Sequence, residues 1–295
     1  MTWMALDRWT AQHHVGKPHL LSDLPMTAYA IGSSNGVMVL EIGSLEATWN
    51  NIEVNLGFAP QLIDGQIFLH GLDLQKNLEP LLCEPALAFG TNRVMVIDPG
   101  HGGINPGTRD ILNGHFEKEF TLDWARRLAL LLATNGWQVF LTRTNDADVS
   151  LADRVAFAES HHADLFISLH FNSPPNRNSV VAEKEAGLET YCLTPTGMLS
   201  NLTRGSDNVT QSFPNNAFDA QNLQLAVRLH GALLRATGME DRGVRRARFL
   251  GVLRGQRRPA VLIEGGYLSN PHEARLIENP EFRQKLAETI AAALR

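Results

Sequence analysis

The sequence predicts an α/β fold: a mostly parallel sheet flanked by helices on both faces, preceded by a small β-rich α+β domain. Three observations predict it. After residue 91, short apolar runs at 94–97, 165–169 and 260–263 read as strands buried on both faces, and 137–142 reads as a further strand. Stretches of helical period separate them, the clearest carrying Phe120, Trp124, Leu128, Leu131 and Leu132. Before residue 85 the pattern differs, with short alternating segments broken by Asn50-Asn51 and Asp64-Gly65.

Composition bounds the function. The chain has 295 residues, enough for one large domain and a small one, and its 44% hydrophobic content supplies a sizeable core. A net charge of -5 gives no electrostatic reason to expect nucleic acid. No stretch approaches the ~20 apolar residues of a membrane span. The opening MTWMALDRW lacks the basic start and apolar run of a signal peptide, so the expectation is either a cytoplasmic protein or a mature form whose leader has been removed. Two cysteines, Cys83 and Cys192, exclude a disulfide framework and a cysteine-built zinc site.

In chain order, residues 3–7 read as an extended start running into a helix through Trp9 and Ala11. Residues 37–42, 46–49, 52–56 and 67–69 read as strands, and 72–82 as a closing helix. His13, His14, His19 and His70 read as solvated or partly buried rather than as ligands. Glu84-Pro85 and Gly90 mark a linker, dividing a module at 1–85 from a domain at 91–295. The strand at 94–97 ends in Asp98-Pro99-Gly100, and His101 follows among glycines, where open α/β sheets place their chemistry. A glycine-rich loop, 102–114, is suited to line a cleft. Glu117-Lys118-Glu119 opens the long helix that Asn135-Gly136 stops. Residues 148–161 predict a second helix with Ser150 as N-cap and Asp153 completing a capping box. The next strand runs into His170-Phe171-Asn172.

His101 and His170 both stand immediately after buried strands, so both can lie at one edge of a sheet, with Glu117 at the start of a helix returning from that edge. Two imidazoles and a carboxylate suffice for a catalytic zinc with its fourth position open to water. No His-Glu-x-x-His helix is present, which disfavours a thermolysin-type protease. Helical rotation of about 100° per residue lets only one of Glu117 and Glu119 face the ion. Glu264 follows the strand 260–263, and a carboxylate at an apolar strand end needs a partner; a water held by the metal would be one. An ion pair of Glu264 with Arg143 or Arg254 is the competing reading. Asp98 is expected to cap its turn or to orient His101 through the second ring nitrogen. Asn172, Arg143 and Arg254 are further candidates to support the ligands or touch substrate. No nucleophile elbow is present.

The motifs IDPGHGG, FEKEFTLDWARRLA, FLTR, SLADRVAFA, ADLFISLHFNS, GLETYCL, DRGVRRARFLGVLR and PAVLIEGGYLSNPHEARLI run collinearly from Val94 to about Ala293. Together they resemble the zinc-dependent N-acetylmuramoyl-L-alanine amidases of bacterial cell-wall turnover. The resemblance implies one zinc ion on His101, Glu117 and His170, with Glu264 essential for catalysis. It implies peptidoglycan glycan strand and stem peptide as partners, and the periplasm or cell envelope as location. Another zinc amidohydrolase of this fold, or a non-catalytic wall-binding protein, are the other classes left open. The module at 1–85 resembles the stalk-like domain found beside wall enzymes and at the N-terminus of some copper amine oxidases. Residues 173–222, rich in Asn, Ser, Thr and Pro, depart from the simplest family members. Some relatives carry an inhibitory helix there; Gly205 and Pro214 argue for a substrate-side loop instead, so no activator protein is expected. Leu223 to Thr237 reads as an amphipathic helix, 242–248 as a solvated basic face, and 280–294 as the closing helix.

Overall fold

The apolar run after residue 92 forms β9 of a computed structural model that describes residues 2–23, 25–91, 93–174, 184–203 and 205–295. Ahead of it lie β1 (Trp3–Ala5), α1 (Leu6–His13), β2 (His19–Ser22), β3 (Ala28–Ser33), β4 (Gly36–Glu41), β5 (Glu46–Trp49) and β6 (Ile52–Asn55). These are followed by β7 (Gln61–Ile63), β8 (Gln66–His70), α2 (Gly71–Asp73), a π-turn (Leu74–Leu78) and α3 (Glu79–Leu82). The rest comprises β9 (Arg93–Pro99), α4 (Glu117–Thr134), β10 (Trp137–Leu141), α5 (Leu151–Ser160), β11 (Leu165–Asn172) and β12 (Leu188–Cys192). It closes with α6 (Asp219–Thr237), β13 (Asp241–Arg246), α7 (Gly251–Arg254), β14 (Ala260–Tyr267), α8 (Pro271–Glu278) and α9 (Pro280–Ala293).

Strands β10, β9, β11 and β14 lie side by side and parallel; β12 joins β14 antiparallel, and β13 runs parallel to β12. Alternation along the strands feeds two cores. Met95, Ile97, Leu165, Ile167 and Ile263 pack with Trp124, Leu128 and Leu286 from α4 and α9, while Val96, Phe166 and Leu262 pack with Ala158, Val252 and Leu253 from α5 and α7. Helices thus cover both faces, which is why these strands read as unbroken apolar runs.

The antiparallel meander β6-β5-β4-β3-β2 continues the same sheet, joined to β13 through the Val54–Val244 pair. A separate small sheet, β1-β8-β7, packs beside it. No helix or strand falls between residues 85 and 90, yet the larger core is continuous across that connector, from Leu6 and Leu40 to Leu225 and Ile290. Gln224 on α6 donates to the carbonyls of Pro80 (2.7 Å) and Pro85 (3.0 Å).

Several elements differ from the sequence reading. α6 begins at Asp219 rather than Leu223, because a 3₁₀ turn (Pro214–Phe218) feeds it and Asp219 pairs with Lys76 at 3.1 Å. α5 begins at Leu151, since Ser150 Oγ already takes the Asp153 amide; the Asp153 carboxylate accepts from Ser150 Oγ and leaves the Ser150 amide alone. The arginine-rich segment at 242–248 is no solvated basic face: most of it forms β13, an interior strand. Arg246 and Arg248 are buried, the first on Asn77 Oδ1 and Lys76 O, the second on Asp207 and the Pro195 and Met198 carbonyls. Of the 173–222 stretch, residues 175–183 and 204 lie outside the described residues. Among the described residues no helix is long and apolar enough to cross a membrane.

Candidate active site

Register brings the site residues to one edge. Ser168 on β11 lies beside Asp98 on β9, and His170 lies beside Glu264 on β14. His101 follows the end of β9 with φ 62°, a left-handed backbone that swings its ring back over the sheet edge. Glu117 is the first residue of α4, and Glu119 closes that helix end by accepting from the Phe116 amide at 3.1 Å. Glu117, rather than Glu119, therefore faces the edge.

The Glu117 carboxylate is 3% exposed and joins all three elements. Its Oε1 lies 2.9 Å from His170 Nδ1 and accepts from the Phe171 amide at 3.1 Å. Its Oε2 lies 3.0 Å from His101 Nε2 and accepts from the Thr108 amide at 2.9 Å. Burial works against its ionisation, but the two facing imidazoles outweigh burial and hold the carboxyl well below the usual range. Burial likewise opposes a charge on His101, and contact with Glu117 outweighs it and raises the imidazole. His101, Glu117 and His170 each offer a donor atom, all within 4.8 Å of one another, a spacing that one cation can span.

Close packing leaves the site little slack. A methyl group on Gly100 would come 2.3 Å from the His170 ring, and one on Gly107 2.5 Å from Glu117 Oε2. Gly107 also holds φ 73°, so a side chain there is strained as well as crowded.

The second nitrogen of His101 belongs to Asn105, whose Oδ1 lies 3.0 Å from Nδ1. If Nδ1 carries the proton, Nε2 presents its lone pair to the donor cluster. Asp98 does not reach that ring, contrary to the sequence reading. It shares with Val96 the face covered by α5, where it takes Arg154 Nη1 (2.5 Å), Thr142 Oγ1 (2.5 Å) and Ser168 Oγ (2.7 Å). Arg154 passes the connection on by donating to the carbonyls of Pro99 (2.8 Å) and His101 (2.6 Å). Sequence reasoning missed Asn105 and Arg154; the one signal for Asn105 was its place in the polar glycine-rich loop.

Arg143 also serves the turn rather than the cleft. Its guanidinium donates to the carbonyls of Pro99, Gly100, Asn145 and Lys118 and to Thr121 Oγ1 at 2.8–3.1 Å, and burial, with Arg154 nearby, pulls it down to about 10. Arg254 lies 5.2 Å over the Phe213 ring. Among the described residues, neither arginine has an ion pair with Glu264 among its contacts. Asn172 lines the cleft and donates to Glu189 Oε2 at 2.7 Å. Glu189, a further residue missed from sequence, sits opposite Glu264 in the β12–β14 register. It also takes Tyr191 OH (2.7 Å), Tyr267 OH (3.3 Å) and Arg242 Nε (2.9 Å). Burial first, then Glu189, pushes both phenols above their ordinary range, so they remain donors.

His101, Glu117, His170 and Asn172 open onto a cleft of about 390 Å³ whose walls include Glu264, Phe249 and Leu250. Fold and donor set define a hydrolase of the α/β class with a candidate metal centre at the carboxyl edge of its sheet. The family model described as N-acetylmuramoyl-L-alanine amidase (Amidase_3) matches residues 95–295, and the chain belongs to that family. It is 30% identical over 224 residues to the amidase AmiA of Escherichia coli K12, an alignment spanning 68% of this chain and 75% of AmiA. Among solved structures, the catalytic domain of the amidase CwlV from Paenibacillus polymyxa aligns with TM-score 0.53 and 32% identity, over 68% of this chain and 95% of that one. The amidase of Clostridium difficile 630 aligns with TM-score 0.56 and 30% identity, over 69% and 95%.

Two outcomes follow from this packing. Gly100→Ala should displace the His170 ring and lower amidase activity by about 10- to 100-fold, with far-UV circular dichroism unchanged. Arg154→Met should leave Asp98 buried without its cation and lower stability by about 3–5 kcal/mol, read from the urea unfolding midpoint.

Proposed function

We propose that the chain hydrolyses the amide between the lactyl group of N-acetylmuramic acid and the L-alanine of the peptidoglycan stem peptide, using one zinc ion held by His101, Glu117 and His170. The observation that carries this reading is the convergence of those donors within 4.8 Å beside Glu264, the register neighbour of His170. Two imidazoles and an ionised carboxylate form a donor set suited to zinc. Bound there, the ion would supply a Lewis acid for the scissile carbonyl and lower the pKa of water.

The remaining work falls to the chain's own groups. An amide has a poor leaving group, so its nitrogen must be protonated as the C–N bond breaks. The Glu264 carboxylate takes a proton from the attacking water and delivers it to that nitrogen. The products are a free lactyl carboxyl group and an L-alanine amine. Glu189 holds Asn172 at the cleft wall, and Asn105 fixes the His101 ring. Residues 1–85 are proposed as a wall-binding or positioning module for the catalytic domain at 91–295. The setting proposed is the periplasm or cell envelope, where the substrate lies, with no activating partner required.

Digestion of purified sacculi, read by mass spectrometry, tests this. The zinc-loaded protein alone should release stem peptides with free L-alanine N-termini, and a chelator should stop it. Glu264→Gln should keep zinc yet lose at least ~100-fold in rate. Amines freed only at other residues would indicate a peptidase, and lysis appearing only after a second protein is added would overturn partner-free activity.

A further inference from the structure

The hairpin that delivers Glu117 carries a second set of donors. It is closed by the pairing of Arg109 with Phe116, by Asp110 N to His115 O (2.9 Å) and by Glu117 N to Thr108 O (2.8 Å). At its far end, Asp110 and His115 meet Glu278, the last residue of α8. Each offers one donor atom, all within 4.8 Å of one another.

Asp110 is 4% exposed. Its Oδ1 accepts from the amides of Leu112 (2.7 Å) and Asn113 (2.8 Å), while its Oδ2 is buried without a hydrogen-bond partner. A buried carboxylate oxygen lacking a partner is unfavourable, and a positive group beside it would relieve that. Glu278 accepts from Asn113 Nδ2 at 2.7 and 2.5 Å, and His115 Nδ1 lies 3.3 Å from its Oε1. Those contacts hold Glu278 in place and supply no cation to Asp110 Oδ2. His115 is half exposed, which gives an ion a path in and leaves room for water as a further ligand.

We propose that Asp110, His115 and Glu278 bind a second divalent transition-metal ion, zinc by donor type, separate from the His101–Glu117–His170 centre. One imidazole and two carboxylates balance a 2+ charge and match the ligands such ions take. The role is structural. The ion ties the 109–116 hairpin to α8 and so fixes the entry to α4, where Glu117 stands.

The test uses the full chain, stripped with chelator and titrated with zinc, with bound metal counted by elemental analysis. The wild type should hold two zinc ions. A His101→Ala/His170→Ala double variant should hold one, and its melting temperature should rise with zinc. Adding His115→Ala to that variant should remove both the ion and the rise, as should adding Glu278→Gln. If the double variant fails to fold, the count falls from two to one in His115→Ala alone. A double variant that binds no zinc, or one whose ion survives both added substitutions, overturns the proposal. Equal zinc in the wild type and the double variant would instead fail the catalytic centre and leave this one standing.

Discussion

One carboxylate holds the catalytic edge together. Glu117 meets a ring from the loop after β9, a ring from β11, and backbone amides on either side of it. A loop, a strand and a helix start, distant in sequence, are thereby fixed to a single point. Removing that charge would free three elements at once. Burial opposes its ionisation, and the two facing imidazoles outweigh that.

Beneath this point lies a second layer that no ligand or substrate need touch. Asp98 and Arg154 form a buried pair whose remaining hydrogen-bonding capacity goes to Thr142, Ser168 and three main-chain carbonyls. Arg143 adds further bonds to the carbonyls of the same turn. Buried pairs contribute little net stability when fully satisfied, but losing one partner is strongly unfavourable. Their effect here is geometric: the unusual backbone of His101 is held in place by guanidinium groups that grip its carbonyl and those before it.

The catalytic strands were legible because strands covered on both faces are apolar throughout, and the residue after such a run stands at the sheet edge. His101, His170 and Glu264 could be located that way; helical rotation allowed only one of Glu117 and Glu119 to face the edge, and the family resemblance pointed to Glu117. What escaped depended on partners from elsewhere in the chain. Arginines of the 242–248 segment look like a solvated face until Glu185, Glu189, Asp207 and Asn77 arrive from other segments to neutralise or bind them. Asn105 and Arg154 have no local pattern that distinguishes them from loop and helix-surface residues. Asp98 was misplaced because its side chain follows strand alternation toward α5 rather than the nearest imidazole. The pairing of β6 with β13 is also invisible locally, since strand periodicity does not say which neighbour a strand will choose.

That pairing has a mechanical consequence. Backbone hydrogen bonds run from the N-terminal meander through β13 and β12 to β14, the strand bearing Glu264. The helix α6 braces the same seam, with Ile52 pressed against Gly231. The sheet itself thus links the meander to the strands that bear the cleft residues. Whatever the meander rests on would therefore set the angle at which the cleft meets a polymer, as the stock of a tool sets its blade.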